Sequence, residues 1–351
     1  MSDLLHHINW MSRYSRTSSR TRTMEKYSQF RDRGSGISPF IPSTTPTSAV
    51  SKLIHGVLFL FRLPFFLGYS AFFFLFLDHL PSFLIPQVAR KLLLWTLLGI
   101  PGIWWVDLQL DGVKRGSLSQ QPSSRFPGNA ARSIIAAQFT SPIDALYLAA
   151  IFDPIFTVSY PGTRKVQRVS LLRAILLALS PPTLTAPPST ANNLTTLRAL
   201  IEANPHRVVA VFPEMSTTNG KGILPFSPSL LSAPADAHIF PVSMRYTPPD
   251  ITTPVPGAFL SFLWHLLGRP THLIRVRIAE AVTNDSGAAT NGDTPPAEGD
   301  AEADGERLTG EEQRLLDKVA EALARLARNK RVGLTLRDKA AFIEAWNKGR
   351  K

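Results

Sequence analysis

A chain of 351 residues with 44% hydrophobic content is long enough for one large core of roughly 200 residues plus appendages. It contains no cysteine, which excludes disulfides, cysteine-based metal sites and a protein thiol nucleophile; any thiol chemistry belongs to a ligand. A net charge of +12 points to nucleic acid, an anionic lipid surface or a phosphorylated substrate. Phenylalanines gathered in one apolar block, rather than interleaved with Lys and Arg, favour lipid over nucleic acid.

Residues 1–52 are rich in Ser, Thr, Arg and Pro and carry no apolar period, which predicts a disordered basic arm. Within it the stretch 11–23 is Arg/Ser-rich and acid-free, a composition shared with transit peptides, and Met24 is an alternative start. From Leu53 to Leu77 the chain is almost wholly apolar but interrupted by Arg62 and Pro64, and a second run, Leu92 to Val106, follows Arg90 and Lys91. Each uninterrupted run is about 15 residues, short of the roughly 20 that a span needs. Residues 53–106 are therefore expected to form a membrane-anchoring helical hairpin half-inserted in one leaflet, with Arg62, Arg90 and Lys91 snorkelling to the surface. Buried core helices and a true double span remain open at this stage.

Residues 107–282 alternate short β-like runs with helical ones, the pattern of an α/β sheet flanked by helices. Strands are expected at 133–137, 207–212, 239–245 and 273–278, and helices near 142–152, 166–180 and 193–203. A Gly/Ala/Asp/Glu/Pro-rich stretch over 283–307 predicts a disordered acidic linker. Beyond it, residues 308–351 show two amphipathic helical patterns, 309–329 and 336–346.

Two blocks can carry chemistry. Gln138-Phe139-Thr140-Ser141-Pro142-Ile143-Asp144 follows a strand and opens a helix: Ser141 can cap, Pro142 suits the first helical position, and Asp144 lies where the helix dipole favours a carboxylate. On its own this is also an ordinary helix start. The second block runs from Val208 through Phe212-Pro213-Glu214-Met215 into Ser216, Thr217, Thr218, Asn219, Gly220 and Lys221. Here a buried strand ends in a carboxylate and a loop whose N–H groups and hydroxyls can face a phosphate, with Lys221 as a nearby cation. A plain strand-to-turn junction has the same appearance.

Together and in this order, the blocks resemble the phospholipid/glycerol acyltransferase family, whose first motif reads Asn-His-(Thr/Gln)-Ser-x-x-Asp and whose third reads Phe-Pro-Glu-Gly-Thr. The spacing of about 70 residues between Asp144 and Glu214 fits, and Phe240-Pro241-Val242-Ser243-Met244-Arg245-Tyr246 looks like the fourth motif. The resemblance covers roughly residues 100–280 and is strongest to the fungal lysophosphatidic acid:oleoyl-CoA acyltransferase branch. It implies a glycerol-phosphate acyltransferase-like fold, no permanently bound cofactor, no metal, acyl-CoA as co-substrate and a lysophospholipid as acceptor. The implied location is an endoplasmic-reticulum or lipid-droplet surface, with the catalytic domain facing the cytosol.

Family chemistry implies a histidine base oriented by an aspartate. Asp144 and Glu214 match the catalytic carboxylates, while Phe139 stands at the histidine position and Met215 at a glycine position. Thr140, Ser141 and the loop Ser216–Lys221 are the expected substrate-binding residues. Arg164, Lys165, Arg168 and Arg173 fall in the interval of the phosphate-binding second motif, with Arg173 or Arg168 the candidate. His206 and His238 are expected at strand starts away from the site, and His55, His79, His265 and His272 at interfacial or structural positions. A non-catalytic lipid-binding protein that kept the fold is the rival reading.

Overall fold

Alternation along the strands decides the layering. In Ser133–Ala137, Ile135 and Ala137 face one core while Ile134 and Ala136 face another, so both sides of the sheet require cover. The structure, a computed structural model, describes residues 27–79, 86–113, 125–128, 132–188, 193–284 and 308–349. Its strands are β1 (Ile103–Leu110), β2 (Ser133–Ala137), β3 (Ile155–Ser159), β4 (Val166–Val169), β5 (Leu194–Thr195), β6 (Val209–Val211), β7 (Gly222–Ile223), β8 (His238–Thr247), β9 (His272–Ile278), β10 (Val282–Thr283) and β11 (Lys330–Arg331). Its helices are α1 (Ala49–Leu75), α2 (Gln87–Gly99), α3 (Pro142–Phe152), α4 (Leu171–Leu177), α5 (Leu197–Ala203), α6 (Phe259–Gly268), α7 (Gly310–Ala327) and α8 (Leu336–Lys348).

The main sheet runs β1-β9-β8-β2-β6-β3-β4-β5, with β10 added to β8, and β7 pairs with β11 in a second small sheet. Strands β8, β2, β6 and β3 are mutually parallel and form its centre. Helices α1–α4 and α6 bury residues against one face, and α5 and α7 against the other. This is the mixed α/β sheet flanked by helices that the strand pattern predicts.

Several boundaries differ from expectation, each for a local reason. The helix expected over 166–180 is a strand, β4, followed by the short α4: the apolar positions Val166 and Val169 fit either period, and β4 pairs antiparallel with β3. Likewise 193–203 divides into β5 and α5. The apolar run 92–106 is not one helical arm. It ends as helix at Gly99, turns at Pro101-Gly102, where Gly102 has φ +86°, and continues as β1.

The first arm is longer than expected, because Pro64 sits inside α1 without ending it. This 27-residue apolar helix is long enough by length and composition to cross a bilayer. One stripe of it, including Phe59, Leu63, Phe66 and Phe73, packs on the domain, and Phe59 meets Trp264 of α6 at 5.2 Å between rings. The opposite side, with Leu53, Val57, Leu60 and Phe65, is exposed. Arg62 does not snorkel: its guanidinium donates to the carbonyls of Arg269 at 2.6 Å and Pro270 at 3.1 Å, and more weakly to those of Pro101 and Leu267. Arg90 likewise turns inward, to Asp78 at 2.7 Å.

The basic arm expected over 1–52 differs where the structure describes it. Tyr27, Phe30 and Phe40 are buried in a cluster with Leu224, Val255 and Phe342, so residues 27–48 form a strap between the third-motif region and α8. Aromatic residues too sparse to give a period locally find their partners some 300 residues away. Residues 1–26 and 285–307, which hold half of the expected arm and most of the expected linker, lie outside the described residues.

Candidate active site

Strands β2 and β6 lie side by side and parallel at the centre of the sheet, so the two motif blocks emerge at the same, C-terminal, end of these strands. At the first, Ser141 caps α3, Pro142 opens it, and Asp144 closes a capping box. Asp144 is fully buried. Its Oδ2 accepts from the Thr140 N–H at 2.6 Å, the Ser141 N–H at 2.8 Å and Thr140 Oγ1 at 3.1 Å, while Oδ1 accepts from the Tyr246 hydroxyl. Burial pushes Asp144 up to about 6 against these hydrogen bonds, which favour the carboxylate.

Phe139 packs inward, its ring stacked on that of Phe212 with centroids 4.4 Å apart. No proton acceptor stands on that side chain. Its backbone is nevertheless central: the Phe139 carbonyl accepts from the Thr218 N–H at 3.1 Å and its N–H faces the Glu214 carboxyl, tying the two motifs together.

Glu214 is also fully buried. Its Oε2 accepts from the Leu224 N–H at 3.1 Å, and Oε1 has no hydrogen-bond partner among the described residues. Burial, with a smaller contribution from the Asp144 charge, pushes Glu214 up to about 8. Met215 follows with φ +57°, a left-handed conformation that costs an L-residue roughly 1–2 kcal/mol and explains why the resemblance implies glycine there.

The loop after it is held on all sides. Thr217 Oγ1 donates to the Thr253 carbonyl at 2.6 Å; Asn219 Nδ2 donates to the carbonyls of Ser38 and Ile41, both at 2.8 Å; and the Gly220 carbonyl accepts from Asn329 Nδ2 at 2.6 Å. Thr218 Oγ1 accepts from the Gly220 N–H at 3.3 Å. The side chains of Thr217 and Asn219 thus spend their hydrogen bonds on the fold, while Lys221 is exposed. Ser141 Oγ donates to the Ile251 carbonyl at 2.8 Å, another internal use of an expected substrate ligand.

Arg173 is exposed on α4, which packs on α3. Arg168 is exposed on β4, and Arg164 is taken up by Glu312 of α7 at 2.6 Å. His238 opens β8, whose far end carries Tyr246, and buried His272 bonds to the Leu266 carbonyl at 2.8 Å.

Two residues escape sequence reasoning. Tyr246 closes the fourth-motif strand and reaches Asp144 from 102 residues away. Lys339 of α8 is fully buried, with Nζ donating to Ser216 Oγ at 2.7 Å and to the carbonyl and hydroxyl of Thr217. Burial pulls Lys339 down to about 7, opposed by the Glu214 charge. A signal for it exists: in the amphipathic pattern Leu336, Lys339, Phe342, a lysine stands on the apolar stripe.

Two buried carboxyls placed just beyond adjacent parallel strands, with the backbone of residue 139 bonded to a clamped polar loop, resemble the motif set of the phospholipid/glycerol acyltransferases. The chain's relatives are fungal. It is 29% identical over 273 residues to a Schizosaccharomyces pombe protein provisionally named lysophosphatidic acid:oleoyl-CoA acyltransferase, covering 73% of this chain and 84% of that one. It is 26% identical over 219 residues to lysophosphatidic acid:oleoyl-CoA acyltransferase 1 of Saccharomyces cerevisiae, covering 58% and 61%. Among solved structures it is similar to the 1-acyl-sn-glycerophosphate acyltransferase PlsC of Thermotoga maritima at 19% identity and a TM-score of 0.37, over 80% of this chain and 96% of that one. No family model matches the chain.

Proposed function

We propose that the protein transfers an acyl group from acyl-CoA to the free hydroxyl of a lysophospholipid, with lysophosphatidic acid as acceptor and phosphatidic acid as product. The observation that carries this reading is the convergence of Asp144 and Glu214, both fully buried, beyond the C-terminal ends of two adjacent central strands. Burial holds both carboxyls well above their ordinary range, as suits groups that handle protons near neutrality. The exposed cations Lys221 and Arg173 are the candidates for the acceptor phosphate, because the neighbouring Thr217 and Asn219 are engaged in the fold.

The lipid surface is supported by position. An apolar cavity of about 1180 Å³ lies between α1 and α2, lined by Phe65, Phe72, Leu92, Trp95 and Trp104, and Trp95 touches Tyr147 one turn from Asp144. It suits a fatty-acyl chain. Exposed Trp104 and Trp105, the outer side of α1, and Leu260 and Trp264 of α6 add apolar surface suited to lipid. In a cell this surface belongs on the endoplasmic-reticulum or lipid-droplet membrane, with the sheet in the cytosol.

The test is transfer of labelled acyl groups from acyl-CoA by the full chain in lipid vesicles across lysophospholipid acceptors. Activity lost in Asp144→Ala and Glu214→Ala supports the reading, and absence of transfer to any acceptor by folded, vesicle-bound protein overturns it. A second reading, a lipid-binding protein without turnover, is favoured by the stacking of Phe139 on Phe212. It predicts lysolipid binding that Asp144→Ala leaves unchanged.

A further inference from the structure

Helix α8 enters the site through one side chain. Lys339 is fully buried, and its ammonium commits its donors to the turn after Glu214: to Ser216 Oγ at 2.7 Å, to the Thr217 carbonyl and, at 3.2 Å, to Thr217 Oγ1. Burying a lysine is costly, and an apolar residue at its place on the stripe Leu336, Lys339, Phe342 would pack on the fold at less cost. Packing therefore does not account for a lysine here. Its bonds to the turn do.

The turn needs such bonds. Met215, between Glu214 and Ser216, holds a φ of +57°, which L-residues avoid. Strand pairing stops at Val211 and resumes at Gly222, so the stretch between is held by isolated bonds rather than by a ladder. Among the described residues no side chain bonds the Glu214 carboxyl: Oε2 accepts from the Leu224 N–H, the Phe139 N–H faces the group, and Oε1 has no partner. The direction of this carboxyl is thus set by the backbone on either side of Met215.

We infer that Lys339 is a positioning residue for the reaction: its ammonium fastens the turn Glu214–Thr217 in a conformation that Met215 disfavours, and so fixes where the Glu214 carboxyl points. This rests on the acyl-transfer reading above, in which Glu214 serves the chemistry. Lys339 acts through the turn, because its bonds go to Ser216 and Thr217. Its charge also acts on Glu214, drawing the carboxyl down where that of Asp144 raises it, which places the clamp close to the group it governs. The loop beyond is fastened in the same manner by both ends of the chain. Asn219 Nδ2 donates to the carbonyls of Ser38 and Ile41, and Asn329 Nδ2 to that of Gly220.

The test uses the full chain in lipid vesicles with acyl-CoA and lysophosphatidic acid, and kcat is taken per folded molecule. Lys339→Met keeps an unbranched side chain without the donors. It should lower kcat by at least about tenfold with KM little changed, the cost of a misplaced group. Adding Met215→Gly, which takes a left-handed φ without strain, should restore kcat by at least about threefold. A merely structural lysine would change the melting temperature and leave both kcat values at the wild-type level. Wild-type turnover with a smaller loss in Lys339→Met, or a folded double variant with a smaller recovery, overturns the clamp and leaves acyl transfer standing. No wild-type turnover overturns both. If Lys339→Met does not fold, Lys339→Gln keeps a donor in its place; recovery of its kcat by Met215→Gly supports the inference, and no recovery overturns it.

Discussion

Replacing Arg62 by Met sets two expectations against each other. Methionine is close in length, prefers helix and is at home in lipid, so on composition alone the change improves α1. The structure gives the opposite result for the fold. Arg62 makes two well-formed charge-assisted hydrogen bonds, to Arg269 O at 2.6 Å and Pro270 O at 3.1 Å, each contributing about 1.5–3 kcal/mol. Losing both leaves the part-buried Arg269 carbonyl unpaired while the exposed Pro270 carbonyl turns to water, and the expected destabilisation is about 3 kcal/mol. At about 2–4 °C per kcal/mol for a domain of this size, Tm should fall by at least about 6 °C. Thermal unfolding in detergent or nanodiscs measures this, with flotation on vesicles as the companion assay. Membrane binding should hold or strengthen while Tm falls, and Arg62→Lys should lie between. Unchanged Tm with stronger flotation would refute the tether and restore a snorkelling arginine.

Other expectations follow from close contacts and buried charge. Gly102→Ala forces a Cβ to 2.4 Å from the Pro270 carbonyl at a φ of +86°, so it should destabilise by about 3 kcal/mol or more, and an unmoved melting temperature would refute that reading. Lys339, pulled from 10.5 to about 7, is bound to its proton more tightly in the unfolded chain, so it adds stability as pH rises from 7 towards 10.5. Glu214, raised from 4.5 to about 8, and Asp144, raised from 3.8 to about 6, hold their protons more tightly when folded, so stability falls as pH rises through those intervals. Lys339→Met should therefore abolish the alkaline rise and keep the decline below pH 7; a variant whose denaturation midpoint still climbs between pH 8 and 10 contradicts the assignment.

What was legible in the sequence was local. The strand of residues 133–137 and the helix after it could be read because Ser141, Pro142 and Asp144 are stop-and-start signals acting within one turn. The central strand Val209–Val211, which leads to Glu214, was readable from an unbroken apolar run. Where the period was ambiguous, as over Val166–Val169, the partner strand decided, and the sequence does not display partners. Within the site, Asp144 and Glu214 could be located, but what surrounds them could not. Burial sets their protonation, and the groups that temper it, Tyr246 and Lys339, arrive from 102 and more than 120 residues away. Thr217 and Asn219 looked like ligands because their types suit a phosphate; their actual partners are carbonyls of distant segments. Arg62 was misread for the same reason: a charge in an apolar helix looks like a surface marker until its acceptors, 205 or more residues on, are known.

The clamping of the third-motif turn by α8 has a consequence for biosynthesis. Ser216 leaves the ribosome 123 residues before Lys339 does, which at about 5–20 residues per second is an interval of roughly 6–25 s. Throughout it, α1 is already made and free to seek the bilayer, while the loop beside Glu214 lacks the ammonium that holds its turn. The turn beside Glu214 is thus completed late, and translation that stalls ahead of Leu336 leaves a chain in which α1 is made and that turn is unclamped.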